Sequence, residues 1–475
     1  GIRLRGGSSE LIRFLDMFRP ALKQKFKSIY NRRLLGSKNI KDIKYIGKDT
    51  VYNIQTGTEN YIANGFIVHN CYLKQHGNDY YPVPGLRSNK KILENTKLLF
   101  DWLAENKYYP KLELFSGDPL FQPIGFEILE LLLEYLEDGR LKMDFISIPT
   151  NGGWLNDDKL VEKVEDLIKR YKSANCSIGL SFSIDGKYME ENRPFVYKNY
   201  KYDDVFYDKL FKFSAKYGYG FHPMIYSNKI ENWSKNFLWF QEMFEKYNIP
   251  WNNIYLLEVR NEEWTSQQMK DLYKFIKFLI TWTWEKVGKN VKSFQNFVRN
   301  GKGFNILAST FSTTGRGIGC SIQSTIAVRM GDLSIFPCHR LQYTQFKTGT
   351  FKVGSDTNHP KLTGIDADNT ELYYAINSLN TKNSPRCEQC IFKNLCSGGC
   401  LGSQYESTGD IFSPIPNVCR IEMIKIMSML ITYKDLNILP DIIKDIDIKK
   451  IQDIELIELS GVFEMYEKIL KGDKE

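Results

Sequence analysis

From residue 71 to about residue 300, short apolar stretches alternate with longer segments whose apolar positions recur every three or four residues. The stretches KLELF (111–115), DFISIP (144–149), IGLSFSI (178–184), GFHPMIY (220–226) and NIYLLEV (253–259) are brief and mostly apolar, so they predict strands. The segments between them predict amphipathic helices. Regular strand–helix alternation of this kind implies a parallel α/β sheet or barrel.

The pattern changes on both sides of that region. Residues 1–48 are helix-leaning and basic (LIRFLDMFRPALKQKFKSIYNRRLL), with a stop near Gly36. Residues 49–70, containing VYNIQTGTENYIANGFIVHN, are rich in β-branched and aromatic residues, with turn signals at Thr56-Gly57 and Asn64-Gly65. Short strands and tight turns are expected there. Residues 305–425 place cysteines among Gly- and Ser-rich loops, and residues 426–475 form a helical tail that turns acidic toward its end. No run of about 18 apolar residues is present, so no membrane span and no membrane partner are expected.

Composition adds scale. The 475 residues are 42% hydrophobic and 14% aromatic, enough for two to four domains with true cores. The opening GIRLRGGSSE has neither a Met nor a signal-peptide stretch, which reads as a start inside a longer product. A cytoplasmic location follows as the default expectation. The net charge of +8 lies wholly in the first seventy residues, which hold 13 Lys/Arg against 5 Asp/Glu. The remaining 405 residues carry 51 of each sign, which removes the case for nucleic-acid binding by the larger part.

Of nine cysteines, six crowd into residues 338–419. In a cytosolic chain this density points to metal rather than disulfides. Thiolates suit iron–sulfur sites and structural zinc alike. The five His residues offer none at zinc-finger spacing from a CxxC. Cys176, beside a predicted strand, reads as a buried core residue.

The segment ending in His69-Asn70, followed by Cys71, resembles the C-terminal end of an intein, with a Hint-type β fragment. The resemblance gives each residue a role. Asn70 would cyclise on its own carbonyl to release the following peptide, His69 would assist by donating a hydrogen bond or proton, and Cys71 would first accept the upstream segment as nucleophile. Glu59 stands where many inteins have an additional His. IRLRGGSSELIRFLDMFRPAL resembles the end of a LAGLIDADG-type homing endonuclease, which implies DNA contacts for that part alone.

From Cys71 onward the sequence resembles radical SAM enzymes, which fold as a partial (β/α)6 TIM-like barrel. They bind a [4Fe–4S] cluster through C-x3-C-x2-C, often followed by Tyr-Leu, as in CYLKQ here. The resemblance makes Cys71 the third of those ligands, with the first two upstream of the intein. S-adenosyl-L-methionine binds the open iron. LELFSGDPL resembles the Gly-Gly-Glu-Pro turn, giving Ser116, Gly117, Asp118 and Pro119, with Ser and Asp as departures from the pattern. IPTNGGWL sets Thr150, Asn151 and Gly152 after the third strand. LSFSIDGKYMEENRPF resembles the fourth-strand motif, which implies cofactor contacts for Ser183 and Arg193, at ribose and carboxylate. His222 and Glu258, also on predicted strands, read as satisfied core polar residues.

The seven cysteines Cys320, Cys338, Cys387, Cys390, Cys396, Cys400 and Cys419 resemble a SPASM domain, a small cysteine-rich α+β unit. The spacing C-x2-C-x5-C-x3-C fits fully, and the first part, C-x10-G-x6-C, is slightly stretched. The resemblance implies up to two auxiliary [4Fe–4S] clusters: one on Cys387, Cys390, Cys396 and Cys419, the other on Cys320, Cys338 and Cys400. The implied activity is radical modification of a peptide or protein substrate, fed by a reducing donor such as flavodoxin or ferredoxin. Two alternatives stay open: an intein and endonuclease remnant on an inactive host, and a zinc-binding interaction module.

Overall fold

The computed structural model describes residues 60–63, 66–69, 88–114, 118–193, 202–259, 262–299, 304–308, 322, 325–356, 358–369, 371–372, 384–396, 398–444 and 446–471. The chain separates into two units, Gly1–Val83 and Pro84–Glu475. In the first, β1 (Asn60–Ala63) and β2 (Phe66–His69) pair antiparallel, with Ala63 opposite Phe66. Two positions separate the strands, and the sequence places its Asn-Gly signal there. The expected basic helices of residues 1–48 lie outside the described residues.

The second unit is built on parallel strands. β3 (Leu112–Glu113), β4 (Phe145–Thr150), β5 (Ser177–Phe182) and β6 (Gly220–Phe221) pair in that order. A parallel bridge from Phe221 to Ile254 carries the pairing onward, and β7 (Met224–Ile225) pairs with β8 (Leu257–Glu258). Each of the five predicted apolar stretches therefore contributes to parallel pairing. Helices α1 (Asn89–Glu105), α2 (Pro123–Glu137), α3 (Asp158–Ser173), α4 (Asp204–Tyr217) and α5 (Trp233–Tyr247) precede or connect the strands, and α6 (Ser266–Lys286) follows them.

Local chemistry accounts for these elements. Along β4 and β5 every second residue is buried, and the register sets Ile146 beside Ile178, Ile148 beside Leu180 and Thr150 beside Phe182. One face is thus continuously covered, which fixes the register, since a one-residue slip would turn that face outward. Helix α3 starts where Asp157 accepts from the backbone N–H of Lys159 and Leu160, and it buries Val164, Leu167, Ile168 and Tyr171. Asp158 in its first turn and Arg170 and Lys172 in its last complement the helix dipole.

A four-stranded antiparallel sheet follows, β9 (Ala327–Arg329), β10 (Ser334–Phe336), β11 (Gly349–Val353) and β12 (Leu362–Ala367). Leu333, Ile335, Phe351 and Leu362 form its small core, against which Leu98, Leu99 and Trp102 of α1 pack. The Asn95 amide also donates to the Met330 carbonyl at 2.7 Å. This sheet is therefore fastened to the first helix of the strand–helix region.

Helices α7 (Leu401–Thr408), α8 (Pro416–Asp435), α9 (Ile448–Leu459) and α10 (Val462–Lys471) complete the chain. Helix α8 packs along α6, and Lys277 pairs with Asp435 across them at 2.7 Å. It runs unbroken through position 425, where the sequence pattern divides the cysteine-rich region from the tail. Among the described residues no helix is long and apolar enough to cross a membrane.

Candidate functional site

The carboxyl ends of the parallel strands are laced together by side chains from the predicted motifs. Asp118 caps a helical turn at Pro119–Phe121, its Oδ1 accepting from the Leu120 N–H at 3.1 Å. Its Oδ2 accepts from Thr150 Oγ1 at 2.6 Å and from the Asn151 N–H at 2.9 Å. Burial pushes the Asp118 carboxyl above the ordinary carboxylate range, against the pull of those three hydrogen bonds. Asp118 thus ties the turn after β3 to the end of β4.

Thr150 completes that link. Its hydroxyl donates to Asp118 and accepts from the Gly152 N–H at 3.1 Å and the Trp154 indole at 3.0 Å, which uses its full capacity. Thr150→Val keeps the shape but takes one hydrogen bond from Asp118 and leaves the Gly152 N–H and the Trp154 indole without this acceptor. It should destabilise the fold by at least about 1–3 kcal/mol, whereas Thr150→Ser should stay close to wild type. Urea unfolding followed by circular dichroism tests this, and a Val variant as stable as the Ser variant would refute it.

At the end of β5, the Ser183 N–H donates to the Thr150 carbonyl at 2.7 Å, and Ser183 itself is half-buried. The chain then turns at Gly186, whose φ of +100° suits glycine, and an added Cβ would also lie 2.6 Å from Asn236 Oδ1. Buried Asp185 receives Arg193 Nε at 2.9 Å on both carboxylate oxygens, with Arg193 Nη2 bonded to Oδ1 as well. Nη2 also donates to the His222 carbonyl at 2.9 Å, and the Met224 N–H donates to Asp185 at 2.8 Å. The Arg193 fork is therefore engaged inside the protein along Nε and Nη2, with Nη1 outside these bonds.

His222 follows β6 in the same rim. Its Nε2 is buried with no hydrogen-bond partner among the described residues, and its ring meets Tyr255 edge-on at 4.8 Å. Burial, and then the Arg193 charge, lower its pKa to about 4, so the imidazole is neutral at physiological pH. Glu258, at the end of β8, instead accepts from Lys425 Nζ at 3.0 Å. The two residues expected to be satisfied polar groups therefore part company: Glu258 has an ion-pair partner, and one His222 nitrogen has none.

The cysteines gather farther along the chain. A small cavity is lined by Cys387, Cys396, Cys400 and Cys419, together with Gly398, Gly399, Gln404 and Glu422. Cys390 lies near enough to Cys387 and Cys419 for its charge to act on both thiols. Cys338 packs in a separate small core with Leu341, Tyr343, Leu401 and Tyr405. Gly398, at a φ of +77°, donates its N–H to Cys396 Sγ at 3.2 Å. Burial raises the Cys396 and Cys419 thiol pKa values, and the Glu422 charge adds to the rise in both.

Sequence reasoning missed what lies beside this cavity. Lys425 Nζ donates to Glu258 at 3.0 Å and to Glu422 at 3.1 Å, and all three side chains are at most 4% exposed. Burial opposes the ammonium, but the two carboxylates prevail and hold the Lys425 pKa above the ordinary lysine value. The available signal was a Glu and a Lys three residues apart within the apolar run IEMIKIMSML.

Asn70, Cys71, Ser116, Gly117 and Cys320 lie outside the described residues, and His69 ends β2 with Asn60 as its backbone partner. No family model matches the chain, and no curated protein matches it. Among solved structures, the chain is similar to native anSMEcpe with bound AdoMet, at 17% identity over 74% of this chain and 89% of that one, TM-score 0.47. A histidine-tagged form with bound AdoMet matches at 17% identity over 78% and 89%, TM-score 0.46. The native protein with bound AdoMet and Kp18Cys peptide matches at 16% identity over 72% and 90%, TM-score 0.45.

Proposed function

We propose that residues 71–475 act as a radical SAM enzyme of the SPASM type on a peptide or protein substrate. The observation that carries this reading is the cavity on which thiols from the CxxC segment, the following loop and helix α8 meet. Several thiols gathered around one cavity suit a polynuclear iron–sulfur group, and the Gly398 N–H bonded to sulfur is the kind of contact that tunes one.

By the family pattern, Cys387, Cys390, Cys396 and Cys419 hold one auxiliary cluster, and Cys320, Cys338 and Cys400 serve the other. Cys71 supplies one ligand of the first cluster, and splicing at Asn70–Cys71 joins it to a segment bearing the other two. A [4Fe–4S] cluster held by these thiolates would, with S-adenosylmethionine bound, supply the 5′-deoxyadenosyl radical chemistry for hydrogen abstraction. The chain's own part is binding and exclusion of water. By the family pattern, Ser116, Gly117, Asp118 and Pro119 would meet the cofactor amine, Asn151 and Ser183 would contact it at the strand ends, and Arg193 would take its carboxylate. Asp118 and Asp185 hold those groups in place.

Purification of the 475-residue chain without oxygen should yield iron and acid-labile sulfide in equal amounts, with little zinc. Zinc bound without sulfide would instead establish the interaction-module alternative and end the enzyme reading.

A further inference from the structure

The buried Glu258–Lys425–Glu422 group joins the end of a parallel strand to the helix that carries Cys419. Two carboxylates share one ammonium in a group closed off from solvent. Its geometry is asymmetric. Glu422 lines the cysteine cavity, whereas Glu258 reaches Lys425 from the sheet and is absent from the cavity wall. Glu422 is also the carboxylate whose charge acts on the Cys396 and Cys419 thiols.

We propose that Glu422, paired with Lys425 on the cavity wall, is a positioning residue that sets the reduction potential of the cavity's iron–sulfur group at a low value. This rests on the cluster reading above. Reduction adds an electron, and a fixed negative charge beside the thiolates in a poorly screened interior opposes it. The Gly398 N–H on Cys396 Sγ acts in the opposite sense, by stabilising added charge on sulfur. Lys425 keeps the carboxylate in place, and Glu258 holds Lys425 from the sheet side. The potential is thereby linked to the strand end at which the rim residues sit.

The test is a redox titration of the anaerobically purified full-length chain, followed by electron paramagnetic resonance. The transition to follow is the one lost in Cys419→Ser. Glu422→Gln should raise the reduced-to-oxidised ratio at fixed potential by tenfold or more, an upward shift of at least about 59 mV for one electron. Glu258→Gln removes an equal charge farther from the thiols and should shift it by less than half as much. Should Glu422→Gln fold poorly, Glu258→Gln/Lys425→Met/Glu422→Leu removes the whole group without leaving a lone charge, and it should also shift the potential upward. Equal shifts in the two single variants, or none in Glu422→Gln and the triple variant, would overturn the proposal while leaving the cluster reading intact. A wild-type chain without a redox-active iron–sulfur signal would overturn both.

Discussion

Lys425→Met should be among the most damaging single substitutions in the larger unit. Met fills much the same volume, so packing changes little, but Glu258 and Glu422 are left facing each other with the intervening ammonium gone. Removing one partner from a buried ion group typically costs about 3–5 kcal/mol, because an uncompensated charge stays buried. Here two carboxylates lose the same partner, so the upper end of that range is expected. Urea unfolding followed by far-ultraviolet circular dichroism gives the measure. Glu258→Gln/Lys425→Met/Glu422→Leu should recover most of the loss, since no lone charge then remains. If the single and triple variants are equally unstable, the aliphatic stem of Lys425 matters and its charge does not.

The contrast between what the sequence conveyed and what it hid has a physical basis. The five strands were readable because parallel strands are brief, apolar and flanked by helical periodicity, a local property. The cysteine cluster stood out because so many thiols at C-x2-C-x5-C-x3-C spacing within a few residues are a local pattern. Helix α8 was harder: most of its residues are buried, so it shows no polar face, and the pattern gave no sign of its start at Pro416. The partners of Asp118 at Thr150 and Asn151 lie over thirty residues away, and Glu258 meets Lys425 from 167 residues away. No window along the chain reveals such pairings. Asp185 and Arg193 are only eight apart, yet the motif drew attention to Arg193 as a ligand contact and not to the carboxylate that orients it.

Arg193→Met should likewise cost about 3–5 kcal/mol at neutral pH, and here the size of the effect depends on acidity. The Asp185 side chain is only 1% exposed, against 26% for Arg193, so the carboxylate is the charge left stranded. In the intact protein, burial already raises the Asp185 pKa, and Arg193 and the Met224 N–H only partly offset it. The folded state therefore holds that proton more tightly than the unfolded chain. Stability from this group is highest in acid and falls as pH rises from the ordinary carboxylate value, near 3.9, to the folded value. Without Arg193 the folded pKa climbs further, and the decline continues to higher pH. The gap between wild type and Arg193→Met should accordingly be small near the ordinary carboxylate value and widen as pH rises through the folded values. Adding Asp185→Asn should remove the pH dependence of the gap. A gap of constant size across that span would mean that lost packing of the Arg193 stem, and not the stranded Asp185 charge, weakens the rim.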